Sequence, residues 1–200
     1  MPRYDPDRHH RRSTRLRGYD YSQGGAYFVT LCTQHRLCLF GQVRDGEMDL
    51  SDAGWVVERL WTSIPEYCAG VEVDAHVVMP NHLHGVLVLP YDGCCAAVKK
   101  SRPAGGVSTR PRGTDDGSLG RIIQEFKTAS TCEYGFGVRH YGWPAYEGRL
   151  WQRNYHERIV RSQDELERIR AYILNNPAGW AFDAENPECA GSANAEGGGW

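Results

Sequence analysis

From Ala26 to Thr33 the chain reads A-Y-F-V-T-L-C-T, rich in aromatic and β-branched residues, which predicts a buried strand. A shorter strand is expected around Leu37–Val43. Ser51 precedes Val56, Val57, Leu60, Trp61 and Ile64, an apolar stripe at helical spacing with Ser51 as its N-cap and Pro65 near its end. Val71–Val78 and His82–Leu89 are further apolar runs, and with the turn signal Pro80-Asn81 between them the pair reads as a hairpin or a bent strand pair. Residues 91–117 mix Gly, Pro, Ser and Arg without period and read as a mobile loop. Ser118 caps a second amphipathic helix, with Leu119, Ile122, Ile123, Phe126 and Ala129 on one face, and a turn-rich segment runs from there through Pro144. Leu150–Arg161 is aromatic-rich and then β-branched. Ser162 and Glu165 form a capping box for a third helix, with Leu166, Ile169 and Ile173 facing inward. Asn176-Pro177 is expected to stop it, because the residue before proline disfavours the α region. The order β(β)-α-β-β-α-(β)-α predicts an α+β fold, an antiparallel sheet with helices packed on one face.

The flanks add little pattern. Residues 1–18 read as a flexible basic arm and 185–200, rich in Gly, Ala, Asn and Glu, as a disordered tail, leaving one domain over 19–184. The length of 200 residues fits a single core, and 40% hydrophobic with 24% charged residues is the balance of a soluble globular protein. No apolar run approaches the ~20 residues needed to cross a bilayer. The Arg- and His-rich start has no apolar stretch after it, so a secretory signal is not expected and the cytoplasm is the default location. Seven cysteines are scattered with no CxxC pair, which argues against a zinc ribbon or a redox motif; adjacent Cys94 and Cys95 could bind a soft metal, but reduced, free thiols are the expectation. The net charge of -2 and pI of about 6.4 do not announce a nucleic-acid binder. The distribution changes that picture: Arg8, Arg11, Arg12, Arg15 and Arg17 form one basic cluster, and Lys99, Lys100, Arg102, Arg110 and Arg112 another.

Two constellations could carry chemistry. In M-P-N-H-L-H-G-V-L-V-L (Met79 to Leu89), side chains two apart on a strand share a face, so His82 and His84 stand side by side while Leu83 points into the core. Two imidazoles presented this way are a ready divalent-metal site; the plainer alternative is one core and one surface histidine. In Y-I-L-N-N-P (Tyr172 to Pro177), Tyr172 and Asn176 share a helix face, with Arg168 one turn earlier. A tyrosine beside an amide able to ligate metal is a plausible phosphoryl-transfer nucleophile, although such residues also serve as core packing and helix stop. Tyr155, in N-Y-H-E, competes for that role. Its neighbours in an extended segment point to the opposite face, so it reads as packing or a DNA contact.

The sequence M-P-N-H-L-H, then L-G-R-I-I-Q-E-F-K (Leu119 to Lys127), then L-W-Q-R-N-Y-H-E-R-I-V-R (Leu150 to Arg161), then A-Y-I-L-N-N-P-A-G-W (Ala171 to Trp180) resembles the REP-associated tyrosine transposases. These belong to the single-tyrosine branch of the HUH (His-hydrophobic-His) superfamily, and the resemblance covers roughly Tyr27 to Trp180. It implies a ferredoxin-like domain with both histidines on a central strand, a Mg²⁺ or Mn²⁺ ion, and nicking and rejoining of single-stranded DNA through a 5′-phosphotyrosine, on palindromic REP-type hairpins. By motif position His82 and His84 are metal ligands and Tyr172 is the nucleophile. Asn176 takes the place of a polar third ligand that is often Gln in relatives, with a shorter reach. The implied partner is single-stranded or hairpin DNA, with no membrane; monomer and homodimer both stay open.

Candidate DNA contacts are Arg11, Arg12, Arg15, Arg17, Lys99, Lys100 and Arg168. Affinity for a hairpin should then fall steeply with salt, and deleting residues 1–17 should flatten that slope; an unchanged slope rules the arm out. The rivals are a domesticated hairpin-binding protein without cleavage, and a metal-dependent hydrolase using water, for which no Asp or Glu ligand stands nearby in sequence.

Overall fold

The computed structural model describes residues 23–91 and 117–187. The basic arm, most of the 91–117 loop and the chain beyond 187 lie outside the described residues. With them go Arg11, Arg12, Arg15, Arg17, Lys99 and Lys100.

The elements follow as β1 (Gly25–Cys32), β2 (Gly41–Arg44), β3 (Glu47–Leu50), α1 (Asp52–Thr62), α2 (Ile64–Tyr67), β4 (Glu72–Val78), β5 (His82–Leu89), α3 (Leu119–His140), β6 (His156–Val160) and α4 (Gln163–Gly179). Strands β4-β5-β1-β6 form one antiparallel sheet in that order, and β2-β3 a separate hairpin. This is the ferredoxin-like arrangement, two β-α-β units with β5 and β1 in the centre.

Alternation along the two central strands sorts the domain into layers. Tyr27, Val29 and Leu31 of β1 and Leu83 and Leu87 of β5 face the main core with Val57 and Trp61 of α1 and Ile122, Ile123 and Phe126 of α3. Gly85 belongs to this face because a Cβ there would run into the indole of Trp61. The opposite face is also apolar: Phe28, Val86 and Val77 pack with Ile169 and Ile173 of α4. The α+β class and the central strand for the histidines stand. The expectation of helices on one face holds for α1 and α3, whereas α4 covers the other, because β5 is buried on both sides.

Ser51, Ser118 and Ser162 each accept from a backbone N–H three residues on, at 3.2, 3.3 and 3.2 Å, so all three expected caps form. In the expected capping box, Glu165 Oε2 accepts from the N–H of Arg161 at 2.9 Å, one residue earlier than the usual partner. Other boundaries moved. The strand expected at Leu37–Val43 is the later hairpin β2-β3, and α3 runs through the supposed turn-rich segment to His140. Helix α4 does not stop at Asn176: Pro177 lies in its last turn, which continues to Gly179. Late in a helix a proline forfeits a single backbone bond, and the apolar face of α4 offsets that loss. Glu185 and Asn186, assigned by sequence to the tail, are part of the packed domain, with Asn186 donating to Trp180 O at 3.0 Å. Cys32 and Cys132, among the described residues, are free thiols. Among the described residues no helix is long and apolar enough to cross a membrane.

Helix α4 is fastened to the edge strand β4 by a two-pronged contact: Arg170 Nε and Nη2 donate to Asp74 Oδ1 and Oδ2 at 2.8 and 2.6 Å. The Arg170 hydrogen bonds hold the Asp74 carboxyl below its ordinary range. A depressed carboxyl contributes stability above the unfolded value, near pH ~4, and loses it as pH falls further. Arg170→Ala should therefore lower the urea midpoint at neutral pH, and the gap from wild type should close below about pH 4. A gap that persists unchanged in acid would mean that the pair contributes through packing alone.

Candidate metal and nucleophile site

The site grows from the start of β5. His82 and His84 stand on the α4 face, completely and almost completely buried, with ring centroids 4.5 Å apart. The sequence put both on the face opposite the core-facing Leu83, and that face too is enclosed, by the helix and the segment after it. The neighbour Asn81 orients the first. Its Nδ2 donates to Arg36 O at 3.1 Å and to Glu185 O at 2.7 Å, which spends both amide protons and turns Oδ1 towards His82. His82 Nδ1 therefore donates to Asn81 Oδ1 at 2.8 Å, leaving Nε2 as a bare acceptor. Arg36 and His35 hold this carbonyl from left-handed backbone, at φ 56 and 60. On β1, Thr30 Oγ1 lies 2.8 Å from His84 Nδ1, so the tautomer that donates there also leaves Nε2 unprotonated.

Helix α4 brings the remaining groups. Tyr172 is half-exposed; its hydroxyl is 3.2 Å from His84 Nε2 and its ring is edge-on to Phe28 at 6.1 Å. Asn176, one turn later, is buried, with Nδ2 donating to Asp183 Oδ2 at 3.4 Å. Beyond Gly179 a short 3-10 turn, Trp180–Phe182, swings the chain back over the histidines, and Trp180 stacks obliquely on His82 at 5.9 Å. Arg36 Nε meets Glu185 Oε2 at 2.9 Å, pinning this return segment.

The donor set fits a divalent ion. His82 Nε2 and Asn176 Oδ1 are buried without any hydrogen-bond partner, which is costly unless something unseen satisfies them. One ligand atom each from His82, His84 and Asp183 lies within 4.8 Å of the others. Burial lowers both imidazoles, pushing His84 down to about 3 with help from the neighbouring His82, so both are neutral and able to ligate at neutral pH. Burial raises the Tyr172 phenol, and the Asp183 charge adds to that, against an opposing hydrogen bond from Asn176.

A cleft of about 740 Å³ opens over these groups, with His156 and Arg168 on its rim beside Tyr172. Of the sequence-derived candidates, His82, His84, Tyr172, Asn176 and Arg168 thus converge. Tyr155 does not, since it lines a different cleft. Sequence reasoning missed Asp183. It follows Asn176 by seven residues, but the chain leaves the helix in between, so no helical or strand spacing pointed to it. It also missed Asn81 as more than a turn residue, although its place directly before His82 was a usable signal. No carboxylate stands near the histidines in sequence, and Asp183 reaches them only through the fold.

No protein-family model matches the chain. An uncharacterized protein of Haemophilus influenzae is 34% identical over 186 residues, covering 90% of this chain and 96% of the relative. Among solved structures, a REP-associated tyrosine transposase bound to a REP hairpin is similar, with a TM-score of 0.52 and 19% identity over 82% of this chain and 72% of that one. A transposase candidate from Deinococcus radiodurans has 19% identity and a TM-score of 0.43, covering 80% and 95% of the two chains, too weak a likeness to argue from. The fold is that of the REP-associated tyrosine transposases, with a His-hydrophobic-His strand at its centre. The chain itself belongs to the family of the Haemophilus influenzae protein.

Proposed function

We propose that the protein nicks and rejoins single-stranded DNA, with Tyr172 as nucleophile and a divalent ion, Mg²⁺ or Mn²⁺, as cofactor. The observation that carries this reading is the 3.2 Å approach of the Tyr172 hydroxyl to His84 Nε2. Tyr172 and His84, from distant parts of the chain, line one open cleft, with the His82 ring 4.5 Å from that of His84. His82, His84 and an oxygen of Asp183 or Asn176 would hold the ion, which when bound polarises the scissile phosphate and offsets its developing charge. Asp183 is the better third ligand, because hard divalent cations favour a carboxylate over an amide.

The remaining work belongs to the chain's own residues. The phenol oxygen bonds to phosphorus as the bond from phosphorus to the 3′ oxygen breaks. The phenol gives its proton to water at the cleft mouth, and the departing oxygen takes one up to become a 3′-hydroxyl. The resulting 5′-phosphotyrosine keeps the energy of the broken ester, so a 3′-hydroxyl can reverse the step and join strands. Asn81 and Thr30 hold the two imidazoles in ligating orientation, as outer hydrogen-bond partners do in metal sites. Arg168, on the rim, offers a fixed charge for a flanking phosphate. The fold likeness to a transposase solved on a REP hairpin makes palindromic hairpin DNA the proposed substrate.

The test is a labelled single-stranded hairpin incubated with the protein and Mg²⁺ or Mn²⁺, then denatured. An adduct at the 5′ side of the cut, mapped to a Tyr172 peptide, supports the proposal. Cutting without an adduct would assign the attack to water, and hairpin binding without cutting would leave a recognition protein.

A further inference from the structure

A second cleft of about 530 Å³ lies apart from the histidines, walled by α3 on one side and by residues 148–155 on the other. Two of the four motifs behind the family resemblance contribute neither ligand nor nucleophile, and they meet here. L-G-R-I-I-Q-E-F-K supplies Gln124 and Lys127; L-W-Q-R-N-Y-H-E-R-I-V-R supplies Trp151, Arg153 and Tyr155. Arg149 completes three cations, and no Asp or Glu lines the cleft among the described residues. In a chain of net charge -2 this is a cleft lined by cations and by no acid.

Lys127 Nζ donates to two main-chain carbonyls, Gln152 O at 2.8 Å and Asn154 O at 3.3 Å, so dipoles solvate its charge and no carboxylate neutralises it. It stands 5.5 Å from the ring centre of Tyr155. Arg149 and Arg153 are exposed at the lip.

The same stretch of chain reaches both clefts. Gln152 N donates to Cys32 O at 2.9 Å, and Cys32 is the register partner of His82. Tyr155 lines the cationic cleft and the next residue, His156, lines the histidine cleft. We infer that the second cleft receives the single-stranded DNA adjoining the scissile phosphate, with phosphates on Arg149 and Arg153 and an unstacked base on Tyr155. A cleft of this size, with an aromatic wall and an apolar floor of Ile123 and Leu150, admits a splayed base and no duplex.

The inference rests on the proposed function in taking DNA as the partner. Fluorescence anisotropy with labelled oligo(dT) of about 15 nucleotides tests it across a salt series, beside a blunt duplex of equal length. The Arg149→Ser/Arg153→Ser double variant changes two exposed side chains outside the proposed chemistry. It should bind oligo(dT) roughly tenfold more weakly, with a salt slope shallower by about 1.4, the share of two single-strand phosphates. Tyr155→Leu should also weaken binding roughly tenfold but keep the wild-type slope, since stacking releases no counterions. Duplex binding should be unchanged in both. Wild-type affinity and slope in the double variant would overturn the inference alone, and equal losses on oligo(dT) and duplex would overturn its single-strand assignment. Wild-type protein that binds neither DNA would overturn the proposed function as well.

Discussion

Tyr172→Phe should lower DNA cleavage by roughly 10³-fold or more while leaving hairpin affinity and folding close to wild type. The substitution deletes one oxygen. The ring keeps its edge-on contact with Phe28 and its place on α4, and the lost hydroxyl is half-exposed, so the stability change should stay within about 1 kcal/mol. Its partner His84 Nε2, 3.2 Å away, is an atom assigned to the ion, so no obligate pair is broken. Tyr155→Phe should still form the covalent adduct, because that ring lies under Lys127 in the other cleft. Gel detection of the denaturation-resistant species in the three proteins settles the matter. Adduct formation by Tyr172→Phe would exclude it as nucleophile.

The second large effect concerns the histidines. His82→Ala and His84→Ala should each abolish cleavage and weaken Mn²⁺ binding by roughly 100-fold, as each removes one of few ligands and unsettles its partner. Burial adds a consequence that the sequence did not foresee. Both side chains are enclosed, so each truncation should also cost about 1–3 kcal/mol of stability through the space it leaves. The two effects separate by experiment. Wild-type protein should gain thermal stability as Mn²⁺ is added, because ligand binding to the folded state shifts the unfolding equilibrium. The variants should begin lower and gain almost nothing. Electron paramagnetic resonance of free Mn²⁺ gives the affinities directly, and a wild-type affinity in either variant would place the ion elsewhere. Asp183→Asn, which keeps size and the contact with Asn176, should weaken Mn²⁺ less than either histidine change but more than Asn176→Ala.

The local pattern of the sequence carried the elements that local chemistry controls. The A-Y-F-V-T-L-C-T run, the three serine caps and the inward Ile169 and Ile173 follow from side-chain periodicity and from hydrogen bonds within one turn. The pairing of His82 with His84 was legible for the same reason, since strand alternation alone puts them on one face. Tyr172, Asn176 and Arg168 shared a helix face by spacing alone.

What spacing could not supply was the meeting of that helix with that strand. The two lie some 90 residues apart in sequence, as the Tyr172–His84 contact spans 88 positions. They come together because the α4 face of β5 is apolar and because Arg170 clamps Asp74. Asp183 reached the histidines only because the chain turns back after Gly179, a path set by Arg36 and Asn81 gripping Glu185 and its carbonyl. Pro177, a stop signal by local rules, stayed helical because the tertiary burial of α4 outweighed one missing hydrogen bond. The sequence by itself offered His82, His84, Asn176 and Tyr172 as candidates, and left Asp183 out. Only the tertiary structure decided that they share a cleft, because long-range packing and ion pairs, not the period of a helix or strand, set the distance between elements.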